Sequence, residues 1–443
     1  MKYRVSILIL LGFIWQNGHA QDSQIYLTFE QVLQLAGADN LAVQEWQQRY
    51  ELALAEKKSA AEWWVPSLYG GTTVHQLTGA TMNSDGIFYL NVNRQNFWGG
   101  IGANVSFDFG NGIFQAAAAK QRAIAVQYQS QDEKNKAILS VAEAYFDLQA
   151  AQAKVAALGL MAAQSERIAQ QLQVQKEAGF TYASDVLMAQ SNLNHQKIAW
   201  QQQEARRAAA SLRLVNLLNL DENTGQVVAD TNLVAVDLVT DRDVAAVVPD
   251  IYDGHPAYKS AGAQTLALQK ERNVARAGLL LPKLYAGYSA GTFGDLWSPT
   301  DRQGNPIGKL YNTTEFNGGL LWQLPLNDVF GGGRKRIYDA RLALAQNRQE
   351  QVKNEVQQEV QTAKANFLAA KASLQLAEEG LGMAGDALEQ SIRRQQLRTA
   401  KPYEVFQSQE IYLRAQKDFF EAMSGYNKAQ CGLYVALGRN LEN

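Results

Sequence analysis

Trp64-Val65-Pro66-Ser67-Leu68-Tyr69-Gly70 recurs as Leu281-Pro282-Lys283-Leu284-Tyr285-Ala286-Gly287, and the segments around the two copies keep the same order at a nearly constant offset. Asn40-Leu41 answers His255-Pro256, and Ala55-Glu56-Lys57 answers Lys270-Glu271-Arg272. Further on, Phe107-Asp108-Phe109 answers Leu324-Pro325-Leu326, and Ser184-Asp185-Val186-Leu187 answers Tyr403-Glu404-Val405-Phe406. A duplication this long belongs to the whole architecture, so it governs how each local motif is read. Each copy runs helix, two alternating strands, a very long helix and a returning helix.

Working outward from Pro66, the stretch Thr28 to Trp63 is rich in Ala, Leu, Glu and Gln and lacks Pro. It predicts a helix, with Asn40-Leu41 as a possible break and Pro66 marking the change to extended chain. Ser67 to Leu77 reads as a strand, followed by a polar loop at Asn83-Ser84-Asp85-Gly86. The clearest strand is next. Ile101, Ala103, Val105, Phe107 and Phe109 alternate with Gly102, Asn104, Ser106 and Asp108, a strict period of two. The second copy repeats it, with Phe316, Gly318, Leu320, Trp322 and Leu324 alternating with Glu315, Asn317, Gly319 and Gln323, after a partner strand from Pro282 to Phe293. Aromatic residues gather near the strand ends. Trp98, Phe107, Phe109, Phe316 and Trp322 are the candidate membrane-interface residues, with Phe97, Phe293 and Trp297 nearby. Taken alone, the alternation also fits an ordinary half-buried hairpin.

The long helices shift the balance. About 113–178 and about 329–397 are helix-compatible without a proline. At 1.5 Å per residue each reaches roughly 100 Å, against an average globular helix of about 11 or 12 residues. Val360, Ala363, Phe367, Ala370, Leu374, Ala377, Leu381, Ala384 and Leu388 step by three and four, the seam of a coiled coil. Ile138, Val141, Tyr145, Leu148, Val155 and Leu158 form a looser version. Turn signals at Gly179-Phe180-Thr181 and Thr399-Ala400-Lys401-Pro402 close the long helices. Ser184 or Asp185 is expected to cap one returning helix (185–218) and Pro402 to open the other (404–437). The expected organisation is therefore a first repeat over 21–220 with a hairpin at about 66–109, and a second over 255–443 with a hairpin at about 282–326. An equatorial or linker segment, 221–254, separates them, with short strands expected at Val227-Val228 and Val234-Ala235-Val236.

Met1 to Ala20 has basic Lys2 and Arg4, an apolar stretch to Ile14 and small residues at Gly18 and Ala20, the pattern of a secretory signal peptide. The following residue is Gln21, not the cysteine that lipid attachment needs. Beyond the leader no apolar run reaches the roughly 18 to 20 residues of a membrane helix, so any spanning segments are strands. A net charge of −2 gives no field for nucleic acid, and the lone Cys431 excludes an intramolecular disulfide. No Gly-x-Ser-x-Gly or His-Glu-x-x-His occurs, and His75, His195 and His255 fall in different elements. The expectation is no enzyme, no metal and no cofactor. Gly331-Gly332-Gly333-Arg334-Lys335-Arg336 lacks the Lys-Ser/Thr of a phosphate loop; it reads as a flexible strand-to-helix joint whose cations meet lipid headgroups.

Four amphipathic strands cannot close a barrel, since such barrels begin at about eight, and an open edge in lipid leaves backbone groups unpaired. Several copies must share one barrel, and periodicity leaves dimer, trimer and tetramer open. The element order, the proline at each helix-to-strand junction, the Pro325-Leu326 and Gly331-Gly332-Gly333-Arg334 exit from the last strand, and the Gly179 to Leu187 turn resemble TolC-type outer-membrane efflux proteins across essentially the whole mature chain. The resemblance implies a mainly α fold with a membrane β-barrel portion, the duplicated units forming a trimeric α-barrel/β-barrel tunnel. It implies residence in the outer membrane of a Gram-negative bacterium, with a long periplasmic extension. It also implies a homotrimer surrounded by outer-membrane lipid, docked to a periplasmic adaptor and an inner-membrane pump, acting as the exit duct of a tripartite efflux or type I secretion system.

In that family the helical tip is the gate, and the resemblance assigns Asp185 and Glu404 to its acidic positions, with Arg398 and Lys401 as basic neighbours. A ring of carboxylates there repels anions and pairs with those cations. The simpler account of each acid is a carboxylate placed at a helix N-terminus by the dipole. Arg398 departs from the family pattern, which has Gly at that position. The competing function is a secreted or periplasmic coiled-coil structural or adhesin protein whose hairpins pack on helices and form no channel.

Overall fold

The computed structural model describes residues 25–82, 85–220, 227–231, 233–240, 244, 249–294, 310–397, 399 and 401–442. The leader, residues 83–84, Trp297, Arg398 and Ala400 lie outside the described residues. In chain order the elements are β1 (Ile25–Leu27), α1 (Phe29–Asp39), α2 (Leu41–Ala61), β2 (Ser67–Met82), β3 (Phe88–Asp108), α3 (Phe109–Glu177), α4 (Ala183–Leu217) and β4 (Val227–Ala229). After a helical turn at Pro249–Tyr252 come α5 (Pro256–Arg276), β5 (Lys283–Gly294), β6 (Leu310–Leu321), α6 (Leu326–Gly331), α7 (Gly333–Gln396) and α8 (Pro402–Ala436). The chain divides into a helical unit (1–45, 133–248, 358–443) and a sheet unit (46–132, 249–357).

In the helical unit, Thr28 opens α1 by accepting from the Gln31 N–H at 3.3 Å, while the Gln31 side chain accepts from the Thr28 N–H at 3.0 Å. Asn40 then breaks the helix and restarts it. Its Oδ1 accepts from the Ala42 N–H at 2.9 Å, and its Nδ2 donates to the Leu217 carbonyl at 2.7 Å. Val32, Leu33 and Ala36 of α1 join Ile138, Val141, Tyr145 and Leu148 of α3, Leu214 of α4 and Val435 of α8 in the main core. The looser of the two seams is thus the one that fills this core. On α7 the large seam residues Val360, Phe367, Leu374 and Leu388 are buried at intervals of seven or fourteen, whereas Ala363, Ala370 and Ala377 stay half-buried.

The segment between the repeats forms no unit of its own among its described residues. Val227–Ala229 pairs in parallel with β1. Val234-Ala235-Val236, expected as a strand, forms none; side-chain amides of α8 bind the backbone there instead. Asn427 donates to the Val234 carbonyl at 2.9 Å and accepts from the Val236 N–H at 3.0 Å; Gln430 accepts from the Leu238 N–H at 3.1 Å and donates to the Val236 carbonyl. The turn Pro249–Tyr252 belongs to the sheet unit.

In the sheet unit the four strands are all antiparallel, in the order β2-β3-β5-β6. Beside the sheet, Arg122 of α3 meets Glu271 of α5 at 2.5 Å, and Arg272 pairs with Asp339 of α7. Two expectations are corrected here. Phe109 begins a helix instead of ending a strand, since the Asp108 carboxylate accepts from the Asn111 N–H at 3.0 Å and turns the chain. The Gly331-Gly332-Gly333 joint links two helices, not a strand to a helix; Gly332 closes α6 with φ 60°, the left-handed conformation that glycine adopts without strain.

Candidate functional site

Cross-strand partners in an antiparallel sheet share a face, so the register sorts every strand residue. Leu68, Ala103, Tyr288 and Phe316 form one row, Gly70, Ile101, Ala290 and Thr314 the next, and Phe107, Leu284 and Leu320 a third on the same face. The large side chains there stand open: Leu68 is 83 % exposed, Ile101 71 % and Phe316 75 %. A row of apolar groups this exposed needs an apolar medium or partner. The opposite face carries Tyr69, Gly102, Ser289 and Glu315 in one row, Asn104, Gly287 and Asn317 in another, and Asp108 paired with Lys283 at its foot, with Nζ 3.0 Å from Oδ2.

The five candidate interface aromatics do not share one setting. Phe316 and Phe107 lie on the apolar face. Trp98 alternates onto the polar face, in register with Thr73 and Phe293. Trp322 lies just past β6, and its indole N–H donates to the Leu280 carbonyl at 3.3 Å. Phe107 and Phe109 stack at 6.0 Å, with Trp63 edge-on to both at 6.3 and 5.7 Å. Trp63 was not singled out from the sequence, although a Trp-Trp pair just before Pro66 was the available signal. Gly112 makes room for it, since a Cβ there would come within 2.2 Å of the indole.

The second candidate site, in the helical unit, is the pair of turns that return α3 to α4 and α7 to α8. Gly179, at φ 79°, ends α3, and the Phe180 N–H reaches back to the Gln175 carbonyl at 2.8 Å. The second turn has the matching bond, from the Thr399 N–H to the Arg394 carbonyl at 2.8 Å, across the position of Arg398. Ile168, Leu172, Val186, Ala189, Val405 and Phe406 pack behind both turns. Neither Ser184 nor Asp185 caps α4. Tyr182 holds that position without a side-chain bond, and Asp185 falls three residues inside, accepting from the Thr181 hydroxyl at 2.9 Å.

Glu404 occupies the same position in α8, three residues after Lys401. Its described partners are the Arg394 guanidinium at 3.3 Å and the Lys401 backbone N–H at 3.4 Å. Arg394 thus gives Glu404 an ion-pair partner that the sequence reading did not name, while Arg398 lies outside the described residues. Arg394 sits in the last turn of α7, where a cation is favoured by the helix dipole, a signal the sequence did offer. With side chains 57 % and 41 % exposed, the pair is worth at most about 1 kcal/mol. A cavity of about 870 Å³ beside the turns is lined by glutamines 170, 171, 175, 395 and 396, together with Phe180 and Lys401.

His255 caps α5, its Nδ1 accepting from the Ala257 N–H at 3.2 Å; His75 lies on β2 and His195 on α4. Among the described residues no group of three or more His, Cys, Asp or Glu side chains is placed to hold a metal ion, and no helix is long and apolar enough to cross a membrane.

No curated protein matches the chain in sequence. Among solved structures it is similar to the CusC channel (TM-score 0.76, 16 % identity, 93 % of this chain and 92 % of that one). It is likewise similar to the Campylobacter jejuni CmeC outer membrane channel (0.75, 15 %, 93 % and 85 %) and to the outer membrane protein VceC of Vibrio cholerae (0.74, 14 %, 93 % and 96 %). At these identities the likeness establishes the fold, mainly α with a membrane β portion. The outer membrane efflux protein family matches residues 32–220 and 248–439, covering both repeats. The chain therefore belongs to the outer membrane efflux protein family and is a TolC-like channel of the outer membrane.

Proposed function

We propose that three copies pool their strands into one twelve-stranded barrel and continue it as a helical tunnel, the exit duct of a tripartite efflux or type I secretion system. The observation that carries this is the sheet itself. Its outer strands β2 and β6 have no further strand beside them among the described residues, and one face presents Leu68, Ile101 and Phe316 to the surroundings. In lipid such edges must be paired, and another copy of the chain supplies strands of the right length and pattern. The half-buried Ala363, Ala370 and Ala377 on the α7 seam offer the close approach that neighbouring helices need.

In this reading residues 1–20 are removed as the leader, 21–220 and 255–443 act as equivalent halves, and 221–254 joins them. Conduction is passive and the chain performs no catalysis; the inner-membrane pump, reached through a periplasmic adaptor, provides energy and selects cargo. Phe107, Phe316 and Trp322 sit toward outer-membrane lipid. Asp185 and Glu404, with Arg398, Lys401 and Arg394 around them, form the mouth that opens on docking. Single-particle electron microscopy of the detergent-purified protein tests the assembly: a hollow cylinder with threefold symmetry is expected, and a monodisperse monomer overturns it. Deleting the gene tests the role, with sensitivity to dyes, detergents and antibiotics expected to rise; unchanged export of every compound overturns it.

A further inference from the structure

The sheet unit contains a cavity of about 500 Å³ at the foot of the polar face. Its wall carries three cations, Lys283, Arg334 and Arg341, beside the polar Asn111 and Gln323 and the apolar Leu281 and Ile337. Two carboxylates lie close, and both are committed elsewhere. Asp108 spends Oδ1 on the Asn111 N–H at 3.0 Å and Oδ2 on Lys283 at 3.0 Å. Asp328 meets the Arg334 backbone N–H at 3.4 Å through Oδ1 and the Arg334 Nε at 3.1 Å through Oδ2. Arg341 has no carboxylate partner among the described residues; its guanidinium lies over the Tyr338 ring, 5.7 Å from the centroid. Arg334, Ile337, Tyr338 and Arg341 follow at helical spacing, so one stripe of α7 faces the cavity.

We propose that this cavity is an anion-binding site that takes a phosphate or carboxylate group, held by Arg341 with help from the free donors of Arg334 and Lys283. A guanidinium presents a planar fork of donors that suits such groups, and the stacked Tyr338 ring holds the fork in place without neutralising it. The Asp108–Lys283 pair and the Asp328–Arg334 pair fix the other two cations against the wall. A net surplus of positive charge remains at the centre, and the apolar floor favours an anion with a hydrocarbon part over a bare ion. The same chemistry fits a soluble organic anion or phosphate on the polar face, or the headgroup of an anionic lipid.

The test uses the full chain purified in neutral detergent. Binding of radiolabelled inorganic phosphate is measured by equilibrium dialysis, and co-purified phosphatidylglycerol by native mass spectrometry, for the wild type, Arg341→Gln and Arg341→Lys. Phosphate binding that weakens about tenfold or more in Arg341→Gln, and by less in Arg341→Lys, which keeps the charge but not the fork, supports a soluble anion. Retention of phosphatidylglycerol without phosphate binding, lost in Arg341→Gln, supports the lipid headgroup. Absence of both, or binding indifferent to Arg341→Gln, overturns the proposal. Arg341 is exposed on its helix, and circular dichroism of each variant confirms that the fold is kept. Binding is read without any transport assay, so the outcome is separate from whether the chain exports anything.

Discussion

Tyr69 lies across Gly102: a Cβ at Gly102 would come within 2.5 Å of the Tyr69 ring and 2.9 Å of the Tyr288 carbonyl oxygen. The second repeat has the same arrangement, where a Cβ at Gly319 would fall 2.7 Å from the Tyr285 hydroxyl. In both cases tyrosine and glycine are direct partners in the register, on the polar face. The bare backbone of one strand receives the ring of the next, which gives each glycine the packing that it lacks itself.

Gly102→Ala is expected to destabilise the protein by about 1–3 kcal/mol, because the new methyl meets a backbone oxygen as well as a ring. Gly319→Ala is expected to cost less, since only the Tyr285 side chain has to yield. Thermal unfolding in detergent gives both values. A double variant, Gly102→Ala with Tyr69→Ala, should lose less than the sum of the two single changes; strict additivity rules the contact out.

The duplication is also visible in helix starts. Asn40 caps α2 and His255 caps α5 at equivalent positions, and Asn40 also donates to the Leu217 carbonyl. Asn40→Ala should cost about 2 kcal/mol, as a cap and a part-buried hydrogen bond go together. Asn40→Ser, which keeps the cap and loses the bridge, should fall between wild type and Asn40→Ala in the same unfolding measurement.

These caps show why parts of the structure were legible in sequence and parts were not. Helices and strands follow from periodicities within one segment, so Phe107, Ile101 and Phe316 were assigned to one face from spacing alone. Trp98 was read from aromatic content near a strand end, which says nothing of parity; the register sets it on the polar face. The segment around Val236 has strand-like composition, but its partners are Asn427 and Gln430, almost two hundred residues away on a helix. The Arg394–Glu404 pair was missed for a related reason: candidates were sought inside the turn, and Arg394 lies one helical turn before it.

The weakness of that pair sets the size of its effect. If it helps to hold the mouth closed, Glu404→Gln should raise the open fraction of the channel by at most about fivefold per pair, the equivalent of about 1 kcal/mol. Single-channel recording in planar bilayers reads this directly. The difference between wild type and variant should shrink at molar salt, because exposed charges are screened there. An equal effect at low and high salt would assign Glu404 a role in packing.

Cys431 provides a pH test of the helical core. Its thiol is fully buried, and burial, assisted by the negative charge of Glu143, pushes its pKa from 9.0 up to about 12. The unfolded chain therefore releases this proton first. Stability from the neutral thiol is complete below pH 9 and is lost as the pH rises toward 12, at about 1.4 kcal/mol per pH unit. Buried Tyr145 acts in the same direction above pH 10, since burial raises its pKa too. The difference between wild type and Cys431→Ala isolates the cysteine: Cys431→Ala starts less stable at pH 8 by its lost packing and falls off less steeply between pH 9 and 11. At pH 8 the folded protein should resist maleimide and react fully once denatured, because the thiolate is the reactive form and no path leads to it. Rapid labelling of the folded protein would mean that this core opens on the time scale of the reaction.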